Sequence, residues 1–199
     1  MIKRSVFFAL FITTLLYTNT SNGQYSIEAN YGLSGVFEPS SNEFTHFGAG
    51  VSYDFDEVYG IKLDFGSDKF RVNDVVLGKS GINVSRISLQ GTLNISTAID
   101  RINSDKTFNL IAHAGAGIST IKPFNKNGGN DNAMNVILGL TPRFKIAKGL
   151  YFALDTALVF NISQHYNFDG SLAYENKPNS FTGITYNVTG GIIYQIRNY

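Results

Sequence analysis

The sequence lacks cysteine and tryptophan and has few charged residues. Without cysteine there can be no disulfide framework, thiolate zinc site, cysteine nucleophile or lipid-anchored cysteine. Charged residues make up 16% of the chain, against about a quarter in an average soluble domain. The formal net charge of +1 creates no overall field toward nucleic acid, so no nucleic-acid partner is expected.

The one long apolar run of the sequence is at its start. Residues 1–4 form a short segment with the basic residues Lys3 and Arg4, residues 5–18 are an apolar run, and the small residues Ser21 and Gly23 suit cleavage before Gln24. This order is typical of a secretory signal peptide, and the run is shorter than the roughly 20 apolar residues of a membrane anchor. We predict a signal peptide at residues 1–23 and one mature domain at residues 24–199.

The segment LYFALDTALVFNIS, residues 150–163, is apolar enough for a membrane helix but contains Asp155 and Asn161. In steps of two it separates into an apolar face with Leu154 and Leu158 and a second face with Asp155 and Asn161. A helix would spread the apolar residues around its circumference and bury the carboxylate in one flank. The segment is therefore predicted to be a strand.

Seven further segments show the same alternation, at residues 25–35, 44–56, 59–68, 85–96, 108–119, 134–146 and 183–197. Each approaches the roughly ten residues with which a tilted strand crosses a bilayer. Pro142 removes one backbone donor, so a bulge or a distorted strand end is expected there.

The connections between these segments alternate in length. Long polar linkers are predicted at residues 36–43, 68–84, 120–133 and 164–180, and shorter turns at residues 56–58, 97–107 and 147–149. Long loops at one end and shorter turns at the other are the arrangement of outer membrane barrels, with the N-terminus in the periplasm.

Alternation alone does not show which face meets water, and a soluble lipocalin-like carrier would turn its apolar face inward. Three features favour a lipid-facing apolar surface. The polar face is rich in Gly, Ser, Asn and Thr, the apolar face carries no charge, and Tyr and Phe gather near the strand ends. We predict an all-β fold, an eight-stranded antiparallel up-and-down transmembrane β-barrel.

The leader, the eight strands and the loop pattern resemble the OmpA-type barrel, the outer membrane protein β-barrel domain family common in Bacteroidetes. The resemblance covers nearly the whole mature chain and depends on pattern, since this group has no short diagnostic motif. It implies a porin-like barrel in the outer membrane of a Gram-negative cell, in contact with outer membrane lipids and the barrel assembly machinery. The C-terminal assembly signal is matched in part: Tyr199 is aromatic, but Ile192, Tyr194 and Ile196 have the opposite parity.

The polar face carries nearly balanced acids and bases, which an enclosed lumen would hold as ion pairs because unpaired buried charges are costly. The predicted structural ion-pair network comprises Glu28, Lys62, Asp64, Arg86, Arg143, Asp155 and Arg197. A small-solute or ion pore is the alternative, although side chains fill small barrels. No catalytic, cofactor-binding or metal-binding residue is predicted, and no cofactor is expected.

A lipid A-modifying hydrolase is a further alternative, because some eight-stranded barrels use a His and a Ser near the outer rim. His46, His165 and Ser163 would lie near that rim, and Asp169 is an acid whose place the sequence does not fix. We predict instead a non-enzymatic monomer with a structural or surface-interaction role. Its long loops would contact a surface ligand, with candidate side chains Phe70, Arg71, Phe124, Tyr166, Phe168 and Tyr174.

Overall fold

The computed structural model describes residues 23–37, 40–74, 78–100, 107–124, 129–175 and 179–196. The elements in chain order are β1 (Gln24–Val36), β2 (Ser41–Asp54), β3 (Tyr59–Asp74), β4 (Gly78–Asn94), α1 (Ile95–Ile99), β5 (Phe108–Pro123), β6 (Asp131–Ala147), β7 (Leu150–Gln164) and β8 (Phe181–Ile196). The predicted leader up to residue 22, Arg197 and Tyr199 lie outside the described residues.

The eight strands form one closed antiparallel barrel in chain order, as predicted. A path through paired residues that leaves β1 at Ser26 passes once around the barrel and returns to β1 at Val36, ten residues further along. Such a stagger requires strands tilted by about 40° from the barrel axis. Closure leaves no unpaired edge strand among the described strands.

The apolar face points outward and the polar face points into the lumen. On β4, Leu89 is 59% exposed whereas its neighbours Ser88 and Gln90 are each 2% exposed. On β7, Leu154 is exposed and Asp155 is directed inward, where it bonds lumen side chains. The soluble carrier needs the opposite orientation, so that alternative is wrong.

Aromatic side chains cluster where the strands meet the short turns. The rings of Tyr25 and Tyr53 lie 4.8 Å apart, and Phe55 packs edge-on against Tyr53 at 5.4 Å. On β5 and β6, Phe108 and Phe144 lie 5.2 Å apart. Such a ring of aromatic residues is typical of the membrane interface of a barrel.

The strands are 13 to 17 residues long and extend past the lengths predicted at the loop end. The linker predicted at residues 68–84 is wrong, because β3 and β4 continue as a paired hairpin up to Asp74 and Gly78. The linkers at residues 36–43 and 120–133 are shortened in the same way. The outward-facing positions become polar there: Phe65 is followed by Lys69 on β3, and Ile87 is preceded by Asn83 on β4. Because of this polar composition, the sequence alone indicated a loop.

The turns predicted at residues 56–58 and 147–149 are short, as predicted. The connection predicted at residues 97–107 is longer, because β4 ends at Asn94 and α1 follows it with Asn94 as its N-cap. Near Pro142, the pairing of β6 with β7 lapses between Leu140 and Arg143 and then resumes in the same register. The register shift itself lies further on, between Lys145 and Ala147. None of the helices in the described part of the chain is long and apolar enough to cross a membrane.

Candidate functional site

The half of the lumen nearer the short turns holds a cluster of charged side chains around Lys62 of β3. Its Nζ lies 2.9 Å from Glu28 Oε1 of β1 and 3.7 Å from Asp64 Oδ1. All three side chains are nearly buried, so the amine compensates two carboxylates that water does not fully solvate. These contacts tie β1 to β3 across the intervening strand β2.

Asp155 joins three strands beside that cluster. Its Oδ1 accepts a hydrogen bond from Thr141 Oγ1 at 2.5 Å and lies 2.9 Å from His113 Nε2. The other ring nitrogen of His113 lies 2.7 Å from Gln90 Oε1 of β4. The carboxylate within the apolar segment of β7 is therefore stabilised by β5 and β6 inside the lumen.

A second charged cluster lies nearer the loop end. Asp68 of β3 contacts His46 Nδ1 with one oxygen and Arg86 Nη1 with the other, each at 2.7 Å. Asn187 of β8 faces the same guanidinium, and its amide oxygen accepts from Arg86 Nη2 at 2.8 Å when the amide is turned to suit its neighbours. Both oxygens of Asp68 are thus used.

Five of the seven residues of the predicted network fall into these clusters: Glu28, Lys62, Asp64, Arg86 and Asp155. Arg143 lies apart, at the turn end, and Arg197 lies outside the described residues. The prediction omitted His46 and His113 from the network. Both stand at inward positions of the alternation, and that parity was the available signal.

An apolar plug closes the lumen at the loop end. Its inward-facing strand residues are Val36, Phe70, Ile82, Val84, Ile121 and Ala133, and Tyr166 and Phe168 from the segment after β7 pack among them. The rings of Phe70 and Phe168 meet edge to face at 5.4 Å. Because these side chains are buried against one another, the plug separates the polar lumen below from the loop end.

The segment after β7 is held over the mouth by polar contacts. His165 donates its backbone N–H to Asp131 Oδ2 at 2.7 Å, and its Nδ1 lies 2.9 Å from Asp131 Oδ1. Gln164 Nε2 donates to the carbonyl of Tyr166 at 2.5 Å. Gly170, with φ of 83°, packs against the carbonyl of Gly81, where any Cβ would lie only 2.6 Å from that oxygen.

Three of the six side chains that were predicted to contact a surface ligand are buried, so the prediction is wrong for them. Phe70, Tyr166 and Phe168 are 1%, 7% and 4% exposed and belong to the plug. Phe124 and Tyr174 are exposed. The sequence did not reveal this division, because aromatic residues in a loop look alike whether they fold inward or face solvent.

Cationic side chains cover the outer surface of β3, β4 and β5 above the apolar belt. Lys69, Asn83 and Lys122 lie in one cross-strand row, and both lysines are exposed. The Arg71 guanidinium reaches across β4, donates to Asn83 Oδ1 at 2.5 Å, and stands 4.1 Å above the ring of Phe124. We call these five residues the cationic face.

The rim residues of the hydrolase alternative do not form a catalytic arrangement. Ser163 makes no hydrogen bond with His165 in the described part of the chain, and Asp169 instead accepts from Ser171 Oγ at 2.6 Å. Asp131, which the sequence did not single out, is the acid on His165. Among the described residues, no three His, Asp or Glu side chains are grouped to hold a metal ion.

The fold is shared with outer membrane proteins of known structure. A major outer membrane protein from Thermus thermophilus matches with a TM-score of 0.61 and 12% identity, over 87% of this chain and 99% of that one. Ail, the attachment invasion locus protein of Yersinia pestis, matches with a TM-score of 0.52 and 15% identity, over 88% of this chain and 99% of Ail. OprG of Pseudomonas aeruginosa matches with a TM-score of 0.51 and 10% identity, over 89% of this chain and 97% of OprG.

At these identities the likeness concerns the fold, an eight-stranded outer membrane-type barrel. Another structure shows Ail in complex with the heparin analogue sucrose octasulfate, and it aligns with a TM-score of 0.51 at 14% identity. No family model and no curated protein sequence matches this chain.

Proposed function

We propose that this protein is an integral outer membrane barrel, non-enzymatic and monomeric, whose extracellular end binds a polyanionic surface partner. Its location is supported by the continuous outward apolar belt, the aromatic ring at the turn end, and a fold shared with outer membrane proteins. Membership of the OmpA-type family, a Bacteroidetes source and the barrel assembly machinery as a partner stay predictions from the resemblance.

The lumen serves stability rather than conduction in this proposal. The charged side chains of the two lumen clusters form ion pairs with one another. The apolar plug lies between these clusters and the loop end, across the route that a solute would take. A solute would have to displace Phe70 and Phe168 as well as the ordered segment that carries Phe168. These contacts do not favour the small-solute pore.

The cationic face is the observation that carries the binding role. Lys69 and Lys122 flank one row, and Arg71 is held beside it by Asn83 and Phe124, so the three charges are presented together. Glu43 is an acid beside Arg71, and its carboxylate accepts the backbone N–H of that residue at 3.0 Å. Exposed single charges bind weakly, whereas several fixed cations suit a ligand with several sulfate or phosphate groups.

Sucrose octasulfate is the probe that we propose, because it presents many sulfate groups on a small scaffold. Calorimetric titration into the detergent-folded protein should show binding that weakens as salt is raised. The Lys69→Ser/Lys122→Ser variant should bind about tenfold more weakly, since two exposed contacts of about 0.7 kcal/mol each are lost.

The matched control is Lys145→Ser/Lys148→Ser, which removes the same charge at the turn end. This pair should bind like the parent protein. Equal weakening by both pairs would show that net charge alone attracts the probe, and undiminished binding by the loop-end pair would refute the cationic face as the site.

A further inference from the structure

A polar cavity of about 220 Å³ opens at the turn end of the lumen, opposite the plug. Its walls include the side chains of Ser26, Thr92, Asn94 and Gln195, and residues of the turn between β2 and β3 form part of its mouth. The Glu28–Lys62 pair lies further along the barrel toward the plug, beyond the residues that line the cavity. The cavity therefore lies between that pair and the side of the turns.

Opposite charges stand on opposite walls of this cavity. Asp54 ends β2 and Arg143 lies near the end of β6, four strands away in a ring of eight, so the two side chains face each other across the lumen. The two groups form no ion pair with each other in the described part of the chain. A gap therefore separates them.

Arg143 has an unused donor. Its Nε is buried and has no hydrogen-bond partner among the residues that the structure describes. Buried polar groups are nearly always paired, and the side chain of Arg143 lines the cavity, so its guanidinium has unused capacity for an acceptor there. A carboxylate fits, because it matches the forked donors of a guanidinium.

The other wall is acidic. Asp54 is joined there by Asp56 and Glu57 of the adjoining turn. Asp56 accepts the backbone N–H groups of Val58 and Tyr59, each at 2.7 Å, and so keeps the turn in place. A lone anion in the cavity would meet these carboxylates, and a lone cation would leave Arg143 without an acceptor.

We propose that this cavity binds a small zwitterion, an α-amino acid or a dipeptide, with its carboxylate on Arg143 and its ammonium group toward Asp54. The volume is below the range of drug-sized pockets, which suits a ligand of this size. This proposal rests on the proposed barrel but not on the cationic face. The zwitterion site and the polyanion-binding site can therefore be refuted independently of each other.

Glycylglycine is the probe, and the Arg143 Nε–H resonance of the ¹⁵N-labelled, detergent-folded protein is the readout. Titration should move this resonance to saturation as the guanidinium acquires an acceptor. Acetate and ethylamine, each with one of the two charges, should bind about tenfold more weakly. Asp54→Asn should weaken glycylglycine to a similar extent, whereas Arg71→Gln, an arginine outside the lumen, should leave it unchanged.

An exchange variant, Asp54→Arg with Arg143→Asp, covers the case in which the single variant folds poorly. It keeps both charges and should bind glycylglycine in the reversed orientation, observed at the Nε–H of the new arginine. Acetate binding as tightly as glycylglycine would reduce the cavity to an anion site and overturn the proposal. An Arg143 resonance that does not respond to glycylglycine would also overturn it.

Discussion

An arginine in place of Leu89 tests whether the outward belt lies in hydrocarbon. Leu89 lies in the turn-end half of β4, is 59% exposed, and pairs with Leu63 and Ala116. It stands four residues from Leu93, which pairs with Tyr59 of the turn-end aromatic residues. At about 3.3 Å per residue and a tilt of about 40°, Leu89 lies about 10 Å above that level, near the middle of a band about 25 Å tall.

Leu89→Arg should therefore cost about 2–4 kcal/mol of folding free energy, the depth-dependent cost of a lipid-facing charge. The assay is reversible guanidinium unfolding in phospholipid vesicles, with the folded fraction read from the unboiled gel band and from circular dichroism. Ser85→Arg is the matched control, on the same face of β4 about 20 Å above the aromatic level. It should cost about 0–1 kcal/mol, because charges near the interface are solvated.

The comparison separates a lipid-facing belt from general sensitivity to arginine. Both variants add the same side chain to the same strand, so propensity and unfolded-state effects are similar. If Leu89→Arg cost no more than Ser85→Arg, the belt would not lie in hydrocarbon, and the outer membrane assignment would fail with it.

Three further changes address the lumen and the plug. Lys62→Met should cost about 3–5 kcal/mol in the same unfolding assay by leaving carboxylates uncompensated, and Glu28→Gln added to it should recover part of the loss. Phe168→Ala should cost about 3–5 kcal/mol and expose the segment after β7 to protease. Gly139→Ala would press a Cβ into His113 Nε2, well inside van der Waals contact, so it should cost about 1–3 kcal/mol and shift the His113 ring resonances.

Each of these changes has a control at an open position. Lys69→Met and Tyr174→Ala alter exposed side chains, and Gly129→Ala adds a methyl group where no atom lies within 4 Å. All three should stay within about 0.5 kcal/mol of the parent protein. A Lys62→Met variant as stable as Lys69→Met would contradict the ion-pair cluster. Unchanged protease resistance of Phe168→Ala would contradict the plug, and unmoved His113 signals in Gly139→Ala would contradict the close contact.

The strands and their faces were predictable because alternation is a local property of the chain. Asp155 and Leu154 differ by one position, and that parity places one in the lumen and the other outside. The strand ends were less predictable. Above the belt, Lys69 and Asn83 are solvated side chains on strand backbone, and their composition resembles that of a loop.

The partners of each lumen charge could not be read from the sequence. Lys62 and Glu28 are 34 positions apart, and only the register and closure of the barrel bring them to 2.9 Å. The same holds for Phe168, whose burial against Phe70 depends on the path of one segment back into the mouth.

By itself, the sequence determined the strand count, the side of the wall on which each strand residue lies, and the charge-free outer belt, since a period of two sets all of these within each strand. Tertiary structure alone decided which lumen charges pair, which aromatic residues form the plug, and that Asp54 and Arg143 face each other unpaired. These relations join residues far apart in the chain, and their geometry follows from the ten-residue stagger with which the eight strands close.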